Sequence, residues 1–461
     1  MGGVKFGTDG VRGVANSDLT AAFALDLGRA AARVLARKGS ADAVATGARA
    51  EAVATGARAE AVVGGDTRLS TAMLEAAFVA GLASEGVLVH RLGVVPTPVV
   101  AFEAARRNAI GAVISASHNP YRDNGIKLFA PGGLKLPDEV EERIEADVVA
   151  LPPPTGEPAP LLDVEQSLDY VEHVLAELQG RSLTGLKVVV DAANGAASAL
   201  GPALFAAAGA DVVAIHDQPD GRNINQHCGA THTASLAAAV LANGADIGLA
   251  LDGDADRLMA VDHLGRVVDG DHVLAICATD LHRRGLLRDG TVVATVMSNL
   301  GFRIAMEQAG IRVIETAVGD RYVLEALDAG GLSLGGEQSG HVIFRDRATT
   351  GDGLLTGIVL ADVIQRSGRP LARLADEAMT RLPQVMVNVR VAVRVPDAAD
   401  QLAAEIAAVE RQLGATGRVL VRPSGTEPLV RVMVEAADDA VAHEAASSLA
   451  ALADARWGAS A

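Results

Sequence analysis

The chain has 461 residues, of which 49% are hydrophobic and 21% are charged, a composition that describes a globular protein of about three domains rather than a disordered or coiled-coil one. A formal charge of −17, from 40 Lys+Arg and 57 Asp+Glu, argues against nonspecific binding to nucleic acid or to anionic membranes. Two cysteines are too few for a disulfide framework, and without a secretory signal or a membrane-length apolar run the sequence predicts a cytoplasmic protein.

The first part of the chain alternates strand-like apolar runs with helix-like runs rich in Ala and Leu. Residues 61–63 and 87–92 predict strands on either side of a predicted helix over 71–84. This alternation indicates parallel strands covered by helices. A proline-rich stretch over 151–160 predicts a linker. Two identical copies of AVATGARAE over 43–60 are interpreted as an inserted surface loop without a function.

The same rhythm restarts twice before the pattern changes. A strand over 186–191 opens the second cycle, and a third begins near Val268 with a helix from Asp271, a strand over 291–296 and a helix from Leu300. The remaining predicted elements are a strand over 384–395, a long helix from Ala398, a strand and hairpin over 418–435, and a last helix. The fold class is therefore α/β, with three similar domains of mixed sheets covered by helices and a smaller C-terminal α+β domain. The predicted domains are residues 1–158, 159–262, 263–380 and 381–461.

Three aspartates stand at alternate positions after an apolar strand in the segment 247–259. In extended backbone, Asp252, Asp254 and Asp256 share one face, and their carboxylates repel one another unless a cation lies between them. Oxygen ligands suit Mg²⁺ or Ca²⁺ better than zinc. An EF-hand is excluded, because Arg257 and His263 stand where that loop needs Gly and Glu. A solvated acidic turn is the alternative, although Arg257 indicates a phosphate nearby.

A second segment, 112–129, places Ser117 and His118 at the end of a predicted strand and Lys127 on the next short strand. Acyl-transfer chemistry is weakly supported, because no G-x-S-x-G elbow surrounds Ser117 and neighbouring side chains in extended chain point to opposite faces. A serine that carries a phosphoryl group is the better interpretation. An ordinary Ser/Asn/Pro turn stays open.

A third segment, 419–435, gathers the donors that a phosphate dianion requires. The sequence predicts a tight loop between two strands with a basic residue on the second strand; the residues concerned are Arg422, Ser424, Gly425, Thr426 and Arg431. Hydroxyls, backbone N–H groups and guanidinium groups all bind phosphate oxygens. A plain hairpin turn is the alternative.

Two shorter segments carry further candidate ligands. Glu337, Ser339 and His341, in GGEQSGH, combine a carboxylate, a hydroxyl and an imidazole, which suit the recognition of sugar hydroxyls. Arg12 stands in FGTDGVRG and is predicted to lie in a glycine-rich loop. A structural turn explains each segment equally well when it is taken alone.

Taken together, these motifs resemble the α-D-phosphohexomutase superfamily from Gly7 to Arg431. SASHNP at 115–120 resembles the phosphoserine loop of the family, and DGDADR at 252–257 resembles its Mg²⁺ loop. GEQSGH at 336–341 resembles the sugar-binding loop of the family, and RPSGTEP at 422–428 resembles its phosphate-binding loop. The resemblance implies four domains, three of one α/β type and a fourth of α+β type. Further matches are residues 63–70, 223–232, 318–322 and 350–354, with Gly65 where a basic residue is usual.

The resemblance also implies a reaction. Phosphorylated Ser117 would give its phosphoryl group to a hexose phosphate, and the resulting sugar 1,6-bisphosphate, which is also the activator, would reorient and return the other phosphate to Ser117. One Mg²⁺ would be held by a phosphoserine oxygen, Asp252, Asp254 and Asp256. Lys127 is the implied general acid/base, with His118, Arg12 and Arg257 as further catalytic candidates. Glu337, Ser339 and His341 would bind the sugar, and Arg422, Ser424, Gly425, Thr426 and Arg431 would bind the phosphate.

Gln338 favours glucosamine phosphate as the substrate that the resemblance implies. Superfamily members that act on mannose or glucose phosphates more often carry Met at this position, directly after the residue that corresponds to Glu337. The product would then supply UDP-N-acetylglucosamine synthesis. The same chemistry on mannose or glucose phosphates is one alternative, and a non-catalytic sugar-phosphate sensor is a remote one. The expected partners are sugar phosphates and neither nucleic acid nor membrane, and a homodimer is compatible with the resemblance.

Overall fold

The computed structural model describes residues 6–7, 10–36, 58–154, 157–164, 168–424 and 428–458. Gly425, Thr426 and most of the AVATGARAE repeat lie outside the described residues. The chain divides into two compact units, Met1–Val296 with Ile314–Ala375, and Met297–Val313 with Asp376–Ala461. Among the described helices, none is long and apolar enough to cross a membrane.

The first sheet is covered by helices, as the alternation predicts, but it contains both parallel and antiparallel strand pairs. Its strands are β1 (Phe6–Gly7), β2 (Gly10–Val14), β3 (Glu60–Gly65), β4 (Leu88–Val94), β5 (Ile110–Ile114), β6 (Asp123–Ala130), β7 (Leu134–Lys135) and β8 (Leu161–Asp163). Their order is β1-β2-β6-β5-β3-β4-β8, with β7 paired to β6. The helices that accompany this sheet are α1 (Ala21–Leu35), α2 (Thr71–Ser84), α3 (Thr97–Arg107) and α4 (Asp138–Val149).

Strand β8 is absent from the elements predicted from the sequence. It follows the proline-rich stretch and pairs in parallel with β4, with Val89 opposite Leu161. The chain therefore returns to the first sheet after residue 158, where the sequence places a domain boundary. The strand has only three residues, all exposed and two of them apolar, which is too short a pattern for a strand to be predicted.

The second and third sheets repeat the α/β pattern. The second has the order β10-β9-β11-β12-β13 and consists of β9 (Lys187–Asp191), β10 (Asp211–Ile215), β11 (Ile247–Leu251), β12 (Leu258–Asp262) and β13 (Val267–Val268). The third has the order β15-β14-β16-β17 and consists of β14 (Thr291–Thr295), β15 (Arg312–Thr316), β16 (Leu334–Gly336) and β17 (Val342–Phe344). The helices in this part of the chain are α5 (Leu168–Leu175), α6 (Leu200–Ala207), α7 (Ala234–Asn243), α8 (Gly270–Arg283), α9 (Leu300–Gln308), α10 (Asp320–Gly330), α11 (Gly353–Ser367) and α12 (Leu371–Ala378).

The C-terminal sheet has three antiparallel strands in the order β18-β20-β19, which confirms the smaller α+β domain. Its elements are β18 (Gln384–Arg390), α13 (Ala398–Gln401), α14 (Ala403–Leu413), β19 (Arg418–Pro423), β20 (Leu429–Glu435) and α15 (Asp439–Trp457). The strand predicted to reach residue 395 ends at Arg390, because its partner strand β20 begins at the opposite residue, Leu429. The long helix predicted from Ala398 is interrupted at the buried Leu402.

Candidate active site

Ser117 lies just beyond the end of β5 and is almost completely buried. Its Oγ donates a hydrogen bond to Asp252 Oδ2 (2.6 Å) and lies 3.3 Å from His118 Nδ1. The prediction that the side chains of Ser117 and His118 point to opposite faces is wrong. It assumed extended backbone, whereas Ser117 has a left-handed conformation with φ 51°, which brings the two side chains together.

Two donors hold the carbonyl groups of the serine loop. Arg68 Nη2 donates to the carbonyl oxygens of Ser117 (3.0 Å) and Asn119 (2.6 Å). Asn225 Nδ2 donates to the same two oxygens, at 2.9 and 3.0 Å. Ser115 Oγ accepts the N–H of Ser117 at 2.9 Å. These contacts fix a backbone conformation that would otherwise be unfavourable for a serine.

Sequence reasoning assigned no role to Arg68 or Asn225, although both stand in segments that match the superfamily. Arg68 is also paired with the buried Asp66, so its charge is neutralised inside the fold. An arginine directly after Asp-Thr, in a segment that follows a buried strand, was the available signal. Asn225 offered none, because an asparagine in a polar loop has an ordinary turn explanation.

The carboxylates of Asp252, Asp254 and Asp256 converge just beyond β11. Each offers an oxygen within 4.8 Å of the other two, and all three residues are buried. They lie in a turn in which Ala255 has φ 57°, so the strand face expected from their alternate spacing is not what brings them together. The convergence itself agrees with the predicted metal cluster.

The carboxylate cluster fits a hard divalent cation. Among the described residues, Oδ1 of Asp254 and Oδ1 of Asp256 are buried without a hydrogen-bond partner. Burial and the two neighbouring carboxylates raise the pKa of Asp252 well above its ordinary value, as expected where negative charges crowd together. Buried carboxylate oxygens that accept no hydrogen bond are what Mg²⁺ or Ca²⁺ binds in proteins.

Lys127, on β6, reaches into the same cluster. Its Nζ lies 2.8 Å from Asp254 Oδ2 and 3.0 Å from Asp256 Oδ2. Burial alone would raise the pKa of Asp256, but Lys127, His341 and Arg257 outweigh it and hold that pKa well below its ordinary value. The structure therefore brings two carboxylates into direct contact with the amine of Lys127.

Two contacts position the turn over 252–257 that carries the three aspartates, called the metal turn below. Thr97, at the start of α3, donates from Oγ1 to Asp254 Oδ2 (2.6 Å) and from its N–H to the Asp254 carbonyl (2.9 Å). At Gly253, a Cβ atom would lie 2.5 Å from the carbonyl oxygen of Ser117. Only glycine therefore allows the metal turn to approach the serine loop this closely.

The predicted cations Arg12 and Arg257 both lie near His118. Arg12 is on strand β2, opposite Gly125, and not in a glycine-rich loop as the sequence predicted; pairing with β6 makes the segment regular. The N–H of Arg257 donates to Asp252 Oδ1 (3.2 Å). Burial, Arg257 and Arg12, in that order, lower the pKa of His118 to about 4, so this imidazole is neutral at neutral pH.

The predicted sugar loop follows β16. Glu337 Oε1 accepts the N–H of Gly319 (3.1 Å), which fixes the carboxylate. Gln338 Nε2 and Ser339 Oγ are buried atoms without a hydrogen-bond partner among the described residues. A fixed carboxylate beside an unpaired hydroxyl and amide has the donors and acceptors needed to bind sugar hydroxyls.

His341 connects this loop to the carboxylate cluster. Its Nδ1 lies 3.7 Å from Asp256 Oδ1. The N–H of Leu258, directly after the metal turn, donates to the carbonyl of Gly340 (3.0 Å). Gly340 has φ 90°, and a Cβ there would overlap with the Leu258 carbonyl, so the close approach requires glycine.

The predicted phosphate loop belongs to the C-terminal sheet. Arg422, on β19, faces Arg431, on β20, directly across the antiparallel pair. Burial and the charge of Arg431 lower the pKa of Arg422. Arg431 Nε is buried without a hydrogen-bond partner among the described residues, and Ser424 nearby is also buried. Two facing guanidinium groups favour an anion between them.

Four consecutive stretches of the chain match the domains of one protein family. They are described as phosphoglucomutase/phosphomannomutase α/β/α domains I, II and III, over residues 3–151, 168–265 and 269–382, and the C-terminal domain, over residues 386–452. The chain belongs to this phosphoglucomutase/phosphomannomutase family. The superfamily resemblance and the four-domain fold inferred from the motifs are thereby confirmed.

Individual relatives agree with this membership. The phosphoglucosamine mutase of Frankia alni is 56% identical over 453 residues, which cover 97% of each chain. Seven further curated relatives of the same name are 53–57% identical.

Solved structures share the fold over nearly the whole chain. A phosphoglucomutase/phosphomannomutase family protein from Burkholderia thailandensis is 27% identical with a TM-score of 0.78, and the match covers 97% of both chains. An N-acetylphosphoglucosamine mutase from Aspergillus fumigatus, solved in complex with GlcNAc-6P and magnesium, is 19% identical with a TM-score of 0.67 and covers 97% of this chain and 95% of that one. At that identity the fungal structure supports the fold alone.

Proposed function

We propose that the chain interconverts glucosamine 6-phosphate and glucosamine 1-phosphate through phosphorylated Ser117 and a bound glucosamine 1,6-bisphosphate. The observation that carries the proposal is the buried contact between Ser117 Oγ and Asp252, inside the cluster of three carboxylates. The name shared by relatives that are 53–57% identical over nearly the whole chain supports glucosamine phosphate as the substrate. Gln338, in the sugar loop, supports the same substrate.

In the first half of the reaction, the O1 hydroxyl of glucosamine 6-phosphate attacks the phosphorus of phosphorylated Ser117. The bond from phosphorus to Ser117 Oγ breaks as the bond to the sugar oxygen forms, which yields the 1,6-bisphosphate. After the bisphosphate reorients, Ser117 Oγ attacks the phosphoryl group at O6 and leaves glucosamine 1-phosphate. Arg68 and Asn225 keep the serine loop in one place through both steps.

In each half of the reaction a proton must leave the attacking hydroxyl, and a proton must reach the oxygen that is released, which is Ser117 Oγ in the first half and the sugar O6 in the second. Lys127 is the proposed acid/base, and its contacts with Asp254 and Asp256 orient the amine. Arg12 and Arg257 would offset charge around the moving phosphoryl group, and His118, being neutral, would offer a nitrogen to Ser117 Oγ without adding charge.

One Mg²⁺ would be held by Asp252, Asp254, Asp256 and a phosphoserine oxygen, and when bound it supplies neutralisation of charge on the transferred phosphoryl group. Its support is the set of buried, unpaired carboxylate oxygens described above. Arg422, Ser424, Gly425, Thr426 and Arg431 are proposed to bind the non-reacting phosphate. Glu337, Ser339 and His341 are proposed to bind the sugar.

The setting of the reaction is also a proposal. Both cysteines, Cys228 and Cys277, are free and buried, which supports a reducing compartment such as the cytoplasm. A sugar 1,6-bisphosphate is the proposed activator, because it can phosphorylate Ser117 directly. The homodimer stays a prediction.

A single-turnover experiment tests the phosphoserine route. The protein is labelled with ³²P by glucosamine 1,6-bisphosphate, separated from free label, and mixed with excess unlabelled glucosamine 6-phosphate and Mg²⁺. The label should leave the protein and appear in glucosamine bisphosphate and monophosphate. Label that stays on the protein, or a mutase reaction without any labelled protein, contradicts the proposal. The variant Ser117→Ala should take up no label.

A further inference from the structure

The described residues contain a second group of metal-ligand side chains, away from the three aspartates. Asp191 ends β9, His216 directly follows β10, and Cys228 lies in the loop before α7. One ligand atom from each lies within 4.8 Å of the other two. Because β9 and β10 are parallel neighbours, their carboxyl ends bring Asp191 and His216 to the same edge of the sheet. The proposed phosphoryl transfer uses none of these three side chains.

Asp191 is held rigidly in a buried position. Its Oδ1 accepts the N–H of Ala193 and its Oδ2 accepts the N–H of Gly229, both at 2.9 Å. The residue has no exposed surface. A carboxylate oriented by backbone donors and still carrying free lone pairs is typical of protein metal ligands.

His216 faces this carboxylate. Its Nδ1 lies 3.1 Å from Asp191 Oδ2, close enough for an ion pair when the imidazole is protonated, although the contact does not have the angles of a hydrogen bond. Bonds of about 2.0–2.2 Å from zinc to nitrogen and oxygen place two tetrahedral ligand atoms about 3.3 Å apart. The observed spacing therefore matches two ligands directed at a common ion. The His216 side chain is 30% exposed, so water can reach the group.

Cys228 supplies the third donor. It is completely buried, and Asn194 Nδ2 lies 4.0 Å from its Sγ. Burial and the Asp191 carboxylate raise the pKa of the Cys228 thiol to about 12. The protonated thiol is a poor nucleophile, which disfavours a Cys-His-Asp catalytic triad. Mixed sulfur, nitrogen and oxygen ligands suit zinc, whose binding displaces the thiol proton.

We propose that Asp191, His216 and Cys228 bind one Zn²⁺, with water as the fourth ligand, and that the ion stabilises the loop that carries Asn225. Through Asn225, this loop contacts both the segment that follows β9 and the serine loop. The N–H of Asn225 donates to the carbonyl of Ala193 (2.9 Å), and its side chain holds the Ser117 carbonyl. A zinc ion held there would connect strand β9 to the loop that carries Asn225, and through Asn225 it would support the serine loop.

Metal content tests this proposal without reference to catalysis. Tag-free full-length protein is loaded with Zn²⁺ in excess Mg²⁺, which keeps the three aspartates from taking zinc, and is then dialysed and analysed by mass spectrometry. Wild type should retain about one zinc per chain, since a thiolate, an imidazole and a carboxylate together hold zinc in proteins. Cys228→Ala and His216→Ala should retain far less, and Cys277→Ala, which removes the other buried cysteine, should retain as much as wild type.

Two further readouts separate zinc binding from misfolding. Co²⁺-loaded wild type should show thiolate-to-metal charge-transfer absorption, which Cys228→Ala lacks. Backbone amides over 223–229 should exchange hydrogen more slowly when zinc is added to wild type, and the variant should show no such change. Wild type that retains no zinc, or Cys228→Ala that is folded and retains as much as wild type, overturns the proposal.

Discussion

Ser117 Oγ donates a 2.6 Å hydrogen bond to Asp252 Oδ2, across 135 residues of sequence and between the loops that follow β5 and β11. Phosphorylation of Ser117 would place about two negative charges beside three buried carboxylates. Such crowding is unfavourable unless cations accompany the phosphate. The proposed mechanism therefore couples the phosphorylated state of Ser117 to divalent metal binding, with Lys127 and Arg257 as cations that already contact the carboxylate cluster.

Ser117→Ala should abolish turnover and leave the fold intact, because the change removes only the nucleophilic oxygen and its hydrogen bonds. Activity is measured in a coupled assay, and folding by thermal unfolding. Ser115→Ala is the matched variant: it keeps the nucleophile and loses the contacts of Ser115 Oγ with the Ser117 N–H and with Asp66, so it should retain part of the activity. Retained turnover in Ser117→Ala contradicts the nucleophile assignment.

Asn225→Gly should lower kcat with little change in KM. Glycine tolerates the left-handed backbone at this position (φ 59°), so the variant removes the amide contacts to Ser117 and Asn119 without adding strain. Loss of about 1–3 kcal/mol of hydrogen bonding corresponds to a decrease of about fivefold to 150-fold. Asn243→Ala removes an amide contact at the exposed end of α7 and should leave kcat unchanged. Equal kcat values in both variants would show that Asn225 does not position the serine loop.

Asp254→Asn should raise the Mg²⁺ concentration that gives half-maximal activity, because a neutral amide is a weaker ligand than a carboxylate. Thr97→Val, which removes the hydroxyl that orients Asp254, should shift the same titration by a smaller amount. Treatment with EDTA should stop the reaction, and Mg²⁺ should restore it. A titration curve identical to wild type in Asp254→Asn removes that residue from the metal site.

Asp352 should make stability depend on pH in the acid range. Burial raises its pKa from 3.8 to about 6, against opposing hydrogen bonds from Leu355 and Tyr170. Its folded pKa lies above the unfolded one, so the contribution to stability is complete below about pH 4 and is lost as the pH rises through about 6. The total loss is about 3 kcal/mol.

The matched variant for this prediction is Asp352→Asn, which retains an N-cap residue for α11. Urea unfolding of both proteins gives the free energy of unfolding at each pH. The free energy of unfolding of wild type minus that of the variant should fall between about pH 4 and pH 6 and stay level above that range. A difference that rises, or does not change, over this interval contradicts the raised pKa.

The sequence identifies the reacting groups better than it identifies the groups that hold them. Ser117 and Asp252 stand in short motifs whose residue types carry the chemistry by themselves. Thr97 contacts Asp254 across 157 residues, and Asn225 contacts Ser117 across 108, and neither has a side chain whose type indicates a role. Such contacts depend on tertiary packing, which periodicity does not encode.

The local backbone explains the remaining differences. The left-handed conformations of Ser117 and Ala255 cannot be read from an apolar run that ends in polar residues, because neither residue type prefers that region. These two conformations decide which side chains come into contact. The predicted extended geometry around Ser117 and the aspartates was therefore wrong, although the three aspartates do lie close together as predicted. Arg12 shows the opposite case, since its glycine-rich segment becomes regular only by pairing with β6.

The most direct test is a coupled assay of the Mg²⁺-loaded protein with a trace of sugar 1,6-bisphosphate, comparing glucosamine 6-phosphate with mannose and glucose phosphates. The proposed function predicts a clear preference in kcat/KM for glucosamine 6-phosphate. Preference for another hexose phosphate would contradict the substrate while keeping the phosphoserine chemistry. No turnover of any of them by protein phosphorylated at Ser117 would contradict the mutase function and favour a sugar-phosphate sensor.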